Sequence, residues 1–399
     1  MHTVRILALA QGLSAAGMMT MFLLGGIVGS ELAPAPQLAT LPLSLVIVGV
    51  AFATVPAALA MQRFGRRRAF IASVLLAAVA ALVIARAIVV TSFILLCAGS
   101  LALGANLAFQ QQQRFAAAES VSAADASRAI ATLMLGTLAA AVVGPQLALV
   151  CKDLLPGHEY AGSFLLVAML CIASAAVLTR YRAAEVPTTA AGGEARPLAV
   201  VVRQPAFLVA VAASVVAFSV MSFIMTATPI SMHVHDRYSD THTAWVIQSH
   251  VLAMYGPSLV SGRLIARIGI RAGMLVGLAL MTVSVIVDGS GRALAHYWWG
   301  LVLLGLGWNL LFVAGTTLLT GCYRPAERYR AQAVNDFSVF GVQAIASLLA
   351  GPAVHALGWT RLNVATMPLL AGLGLVLLLR SPTPSGAAGA ASLSDRGTR

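Results

Sequence analysis

Gly104-Ala105-Asn106-Leu107-Ala108-Phe109 returns about 203 residues later as Gly307-Trp308-Asn309-Leu310-Leu311-Phe312. Two further pairs keep the same order: Arg63-Phe64-Gly65-Arg66-Arg67 with Arg267-Ile268-Gly269-Ile270-Arg271, and Gly144-Pro145 with Gly351-Pro352. Segments recurring in one order imply two parallel halves related by an axis along a membrane normal. The surroundings demand a membrane. Hydrophobic residues make up 59% of the 399 positions, charged residues 10%, and the mean hydropathy is +0.90. A soluble domain carries about 25% charged residues, so no water-soluble surface of this size can be built from these.

A spanning helix needs about 20 mainly apolar residues, and open backbone cannot face hydrocarbon. Twelve such runs are expected, near 5–30, 38–61, 69–90, 92–113, 128–151, 160–180, 206–232, 243–265, 272–291, 296–320, 331–355 and 359–379. With the N-terminus inside, the inner loops and tails hold 20 of the 25 Lys and Arg residues, as the positive-inside rule requires. The exceptions are Arg86, Lys152, Arg237, Arg292 and Arg361. The net charge of +12 thus belongs to loops and not to a nucleic-acid-binding face. The histidines His158, His233, His235, His242, His296 and His355 fall in or near outer loops, and Tyr297-Trp298-Trp299 starts a helix where an aromatic belt is expected.

The expected organisation is a six-helix bundle over 1–181, a polar cytoplasmic linker over 182–203, a second six-helix bundle over 204–380 and a disordered Gly-, Ala- and Ser-rich tail over 381–399. The N-terminal apolar stretch is too long for a signal-peptide core and reads as the first span. Four scattered cysteines, Cys97, Cys151, Cys171 and Cys322, form no C-x-x-C pair. No Walker motif is present, so neither an enzyme nor an ATP-driven pump is indicated.

On these residues the chain resembles the major facilitator superfamily, which implies an all-α membrane protein of twelve transmembrane helices in two six-helix bundles. The resemblance covers nearly the whole chain. It implies a substrate site near midplane between the halves, reached by their alternate rocking. The family's loop signature, G-x-x-x-D-R-x-G-R-[RK], is matched by Arg63, Gly65, Arg66 and Arg67, with Ala58 and Gln62 replacing its Gly and Asp. The second copy keeps Gly262, Arg267 and Gly269 but has Ala266 at the Asp position. These residues are the expected gating loops, without the usual acidic partner.

Ionisable and ligating groups at membrane depth are costly and mark function. Met221 and Met225 on the seventh span, and His250 and Met254 on the eighth, are each four apart and share a helix face. Thioethers and imidazole suit copper. Against this, methionine is a common filler of helix interfaces, and His250 has hydrogen-bonding neighbours such as Gln248 or Asn309. Gln110 to Gln113 end the fourth span, where one or two are expected to line a vestibule. Glu31 and Asp336 lie near span ends, so proton coupling has no central carboxylate to rest on.

The M-x-x-x-M and H-x-x-x-M pair, with Gln248, Pro257, Ser258 and Gly262 nearby, resembles the bacterial copper importers of the CcoA type. That resemblance implies metal ligation by Met221, Met225, His250 and Met254; apart from it, the repeat offset offers Met21, with Met18 beside it, as a further thioether step, and the outer loop offers His233 and His235 as an entrance that collects cations. The resemblance implies copper as transported substrate and no resident cofactor. Membrane lipid surrounds the chain, and a copper chaperone or oxidase-assembly acceptor stands downstream. The implied location is the bacterial inner membrane with both termini cytoplasmic. The alternative on the same fold is a carrier of a small organic solute, of drug or siderophore type. A metal sensor is disfavoured, because the tail after Arg380 is short.

Overall fold

The computed structural model describes residues 2–121, 126–182, 196–324 and 327–379. Most of the expected linker and the whole tail lie outside these. The first six spans are α1 (His2–Leu32), α2 (Leu41–Phe64), α3 (Arg66–Val89), α4 (Phe93–Glu119), α5 (Ala126–Val150) and α6 (Ala161–Leu178). A short α7 (Leu198–Val202) precedes α8 (Pro205–Pro229), the seventh span, which ends in a π-helical turn, Ile230–His235. Then follow α9 (Asp240–Tyr255), α10 (Ser258–Ile268), α11 (Ile270–Ser290), α12 (Leu294–Thr320), α13 (Arg328–Val364) and α14 (Met367–Leu379).

Ten stretches are long and apolar enough to cross a membrane by length and composition. The count reaches twelve for two physical reasons. The eighth span is broken at Gly256-Pro257 into α9 and α10, each too short to qualify alone. Proline has no N–H to continue the helical ladder. Asn309 Nδ2 on α12 reaches into this break and donates to Met254 O at 2.7 Å and Ser258 Oγ at 2.6 Å. The last two spans form one apolar run, Arg330–Leu379, folded back at Gly358 with φ 71° and ψ 174°. The fold is the twelve-helix, two-bundle architecture expected from the sequence.

Within the first half α1 packs on α5 and α6, α2 on α4, and α3 on α4 and α6. Within the second, α8 packs on α12 and α13, α9 on α12, and α11 on α12 and α13. The halves meet through α2 against α13, α5 against α9, and α1 against α8. The first two of these contacts exchange under the repeat, since α2 corresponds to the eighth span and α5 to the eleventh. That is how a pseudo-twofold axis between the halves presents itself.

The repeat is sharpest in the loops. Gly65 (φ 78°, ψ 153°) and Gly269 (φ 89°, ψ 155°) join the second to third and eighth to ninth spans in the same left-handed conformation. Only glycine adopts it without strain. Just beyond each, an arginine clamps the end of its own half: Arg67 donates to Thr179 O, while Arg271 donates to Leu377 O at 2.9 Å and Leu378 O at 2.8 Å. A cation at the C-terminal end of a helix also faces the negative end of its dipole. The arginines at these two positions therefore hold each half together internally.

One expectation about the repeat changes. A Cβ on Gly104 would sit 2.0 Å from Val46 O, and one on Gly305 would sit 2.7 Å from His250 O. Val46 and His250 are 204 apart, so Gly104 corresponds to Gly305 and not to Gly307. Asn106 and Asn309 accordingly do different work. Asn106 donates to Ser14 Oγ on α1, whereas Asn309 holds the break in the eighth span. Sequence likeness slipped by two residues, because apolar helices offer few landmarks to fix a register.

Candidate functional site

A cavity lies between the halves, walled by α1, α2, α4 and α5 on one side and by α8, α9 and α13 on the other. Its lining shows the repeat side chain by side chain. Ala15, Met18, Met19 and Phe22 of α1 face it, and so do Phe218, Met221, Ser222 and Met225 of α8, each 203 residues further on. Met134 and Thr137 of α5 are matched by Phe340 and Gln343 of α13, 206 residues on. Helical spacing explains why these positions recur: residues three and four apart share a face.

The four residues singled out from sequence, Met221, Met225, His250 and Met254, all line this cavity. Met18 lines it too, but Met21 does not; it is wholly buried in the core with its side chain against Gly25. The repeat explains the difference. Met21 corresponds to Ile224, also wholly buried, and it is Phe22 that corresponds to Met225. One residue along a helix turns a side chain by about 100°.

His233 and His235 sit in the π-helical turn at the end of α8, remote from the lining. His233 Nδ1 lies 3.0 Å from Asp240 Oδ1. Asp240 is the hub of a polar cluster that crosses between the halves: Lys152 Nζ lies 3.2 Å from its Oδ2, and Tyr160 Oη donates to the same oxygen at 3.2 Å. Lys152 also meets Glu159 at 2.6 Å, and these carboxylates raise the lysine pKa above its ordinary value. Burial together with the same acidic neighbours raises that of Tyr160. Nearby, Arg292 pairs with Asp236 at 2.7 Å. A second link between halves runs from Gln248 Nε2 to Val142 O at 2.8 Å. At this end of the molecule, the Asp240 end, the two halves are tied together.

Polar groups that composition alone did not single out complete the cavity. Gln11 Nε2 donates to Thr137 Oγ1 at 2.7 Å, leaving Gln11 Oε1 buried and unpaired. Gln110 Nε2 donates to Ser14 Oγ at 2.7 Å, and two of the four consecutive glutamines, Gln110 and Gln111, line the cavity. His250 is wholly buried; its Nδ1 lies 2.7 Å from Leu301 O on α12, and its Nε2 has no partner. Its partner is thus a backbone carbonyl and not Gln248 or Asn309. Among the described residues that line the cavity none is Asp, Glu, Lys or Arg. Outside the cavity, Asp288 is fully buried between α11 and α12 with both oxygens unpaired; a Cβ on Gly300 would lie 2.1 Å from it. The signal available in sequence for all of these was an amide, imidazole or carboxyl inside an apolar run.

A twelve-span helical chain with an uncharged cavity between two repeat-related halves is a membrane carrier. The Major Facilitator Superfamily model matches residues 7–286. The chain belongs to that superfamily and is a transporter, not an enzyme. It is 41% identical over 385 residues, 96% of each protein, to the riboflavin transporter RfnT of Brucella anthropi. It is 27% identical to an uncharacterized transporter of this type, YddS of Bacillus subtilis, over 91% of this chain and 87% of the relative. The fold is shared with the human organic anion transporter MFSD10 at a TM-score of 0.71 and 14% identity, covering 94% of this chain and 98% of that one. A bacterial homologue of the lysosomal transporter Spinster, in an inward-facing and occupied conformation, gives 0.70 at 16% identity over 95% and 96%.

These findings overturn the expectation of copper import, and with it copper and a copper chaperone as partners. A relative 41% identical over 96% of the chain is a riboflavin transporter. The geometry gives a physical reason for the misreading. The M-x-x-x-M and H-x-x-x-M positions are those that any helix turns toward a central cavity. There they stand among Phe22, Phe218, Phe340, Gln11 and Gln110, a lining for an organic molecule.

Proposed function

We propose that this protein carries riboflavin, or a closely related flavin, through the central cavity by alternating access. The observation that carries this reading is the 41% identity, over 96% of both chains, to a riboflavin transporter. The cavity chemistry supports it. A flavin joins a flat heteroaromatic ring to a polyol chain. Six methionines and three phenylalanines line the cavity and suit the ring; a sulfur–aromatic contact contributes about 0.3–1.5 kcal/mol. Gln11, Gln110, Gln111, Thr137 and Gln343 suit hydroxyl groups. An uncharged lining suits an uncharged solute, since burying an unpaired charge is costly.

In this reading Met18, Met221, Met225, His250 and Met254 are cargo contacts. The chain lies in the bacterial inner membrane with both termini cytoplasmic, supported by the 20 of 25 basic residues on the Gly65 side. The division into 1–181, 182–203, 204–380 and 381–399 follows the repeat. Loops 63–67 and 262–271 lie on the cytoplasmic side, and the cluster around Asp240 closes the outer mouth.

The test is uptake of labelled riboflavin by a bacterial strain that neither makes nor imports it. Expression of the wild type should restore uptake and growth on micromolar riboflavin. Absence of uptake by protein demonstrably present in the membrane returns the question to other organic solutes.

A further inference from the structure

We infer that His250 is the acceptor that selects a cargo bearing a ring N–H, and that it orients the flavin by taking the imide hydrogen. The inference rests on the flavin reading above.

Nδ1 of His250 is 2.7 Å from Leu301 O. A backbone carbonyl only accepts, so Nδ1 carries the hydrogen, and Nε2 of the neutral ring carries a lone pair. The ring is held there by close packing of α9 on α12, where Gly305 leaves room for His250 O and Ala253. Nε2 is therefore a fixed acceptor, buried and unpaired, on a residue that lines the cavity. Leaving a buried polar atom unpaired is costly. A cargo that donates to it recovers that cost, and one that cannot leaves it standing.

The residues that line the cavity together with His250 decide what kind of donor fits. The lining from α1 brings Gln11, Met18, Met19 and Phe22; α5 brings Met134 and Thr137; α8 brings Met221 and Met225; α13 brings Phe340 and Gln343. On α9 itself the neighbours are Val251, Met254 and Tyr255. None is an acid or a base, so the donor has to be neutral. The second unpaired acceptor in the lining is Gln11 Oε1, on the opposite half. Two acceptors on facing walls ask for a molecule with a donor at each end. In riboflavin the imide N–H lies at one end of the ring system, and the hydroxyls lie on the side chain. The ring then lies along α8 and α9 with its imide at His250, and the polyol reaches the amides of α1 and α4.

The test is a binding cycle on the purified full-length protein in detergent, read by quenching of flavin fluorescence. Riboflavin and 3-methylriboflavin are titrated into wild type, His250→Leu and His250→Gln. Wild type should bind riboflavin about tenfold more tightly than the methylated analogue, the size expected for one hydrogen bond and its orphaned partner. His250→Leu should bind the two within about twofold of each other. His250→Gln, which keeps an acceptor oxygen without the imidazole shape, should restore the preference and so separate hydrogen bonding from crowding by the methyl group. Equal binding of the two flavins by wild type, or an undiminished preference in His250→Leu, overturns the inference while leaving flavin transport intact. If wild type binds neither flavin, the flavin reading itself fails.

Discussion

The two halves share positions but not chemistry. Around the cavity Met18 answers Met221, Phe22 answers Met225, Met134 answers Phe340, and Thr137 answers Gln343. At the loops Gly65 answers Gly269 and Arg67 answers Arg271, with the same backbone conformation and the same kind of clamp. Yet Val46 is answered by His250, and Ile84, which a Cβ on Gly99 would strike, by Asp288, which a Cβ on Gly300 would strike. The second half has put an imidazole and a carboxyl where the first has aliphatic side chains. Buried glutamines of the first half, Gln11 and Gln110, face the cavity from the other wall. The repeat thus preserves the surfaces on which helices pack and turn, while the buried polar groups of the two halves diverge. A symmetric carrier binding an asymmetric molecule has no reason to keep both walls alike.

The largest effect should come from the packing positions. Gly104→Val and Gly305→Val each drive a side chain into the backbone of the neighbouring span. Overpacking costs about 1–3 kcal/mol and more where backbone must move, so folded yield in the membrane should fall severely for both. Collapse of one variant and not the other would show that the register drawn between α4 and α12 is wrong.

The loop glycines come next. Gly65→Ala and Gly269→Ala place a side chain at positive φ with nothing within 4 Å to collide with. Each should therefore destabilise through backbone strain alone, by about 1–3 kcal/mol. Thermal unfolding in detergent should show similar downward shifts for the two. Unequal shifts would mean that the loops, alike in backbone, carry different loads.

The smallest effect concerns a feature that only the second half displays among the described residues. Glu327, in the loop after α12, takes hydrogen bonds from Arg196 Nε and Nη2 at 2.8 Å and from Arg324 N at 2.9 Å. The Arg196 guanidinium holds its carboxyl at a pKa of about 2, below the ordinary 4.5. A depressed carboxylate stabilises the fold above its unfolded pKa and loses that contribution as pH falls through its folded one. Between pH 8 and 5 the contribution should be constant, and it should decline from about pH 4.5 toward about 2. Glu327→Gln should lower thermal stability modestly at neutral pH and flatten the acid side of the stability profile. A variant whose profile overlays wild type would show that the pair anchors nothing.

Much of the architecture was legible in the chain before any coordinates. Membrane class, twelve spans and two halves follow from apolar run lengths and recurring glycine and arginine motifs, because lipid leaves a backbone few ways to satisfy its hydrogen bonds. The cavity-facing positions Met221, Met225, His250 and Met254 were equally readable, since helical periodicity turns residues four apart to one side. Tertiary structure decided the rest. Met21 and Phe22 differ by one residue and face opposite fates, core and cavity. The break at Gly256-Pro257 needs Asn309 of another helix to satisfy it. His250 looked like a ligand for a soft metal, but the walls that distant segments bring around it supply amides and aromatic rings, and a relative matched over 96% of the chain is a riboflavin transporter. A side chain carries its chemistry in the sequence; what that chemistry is used for depends on the partners that distant segments bring to it.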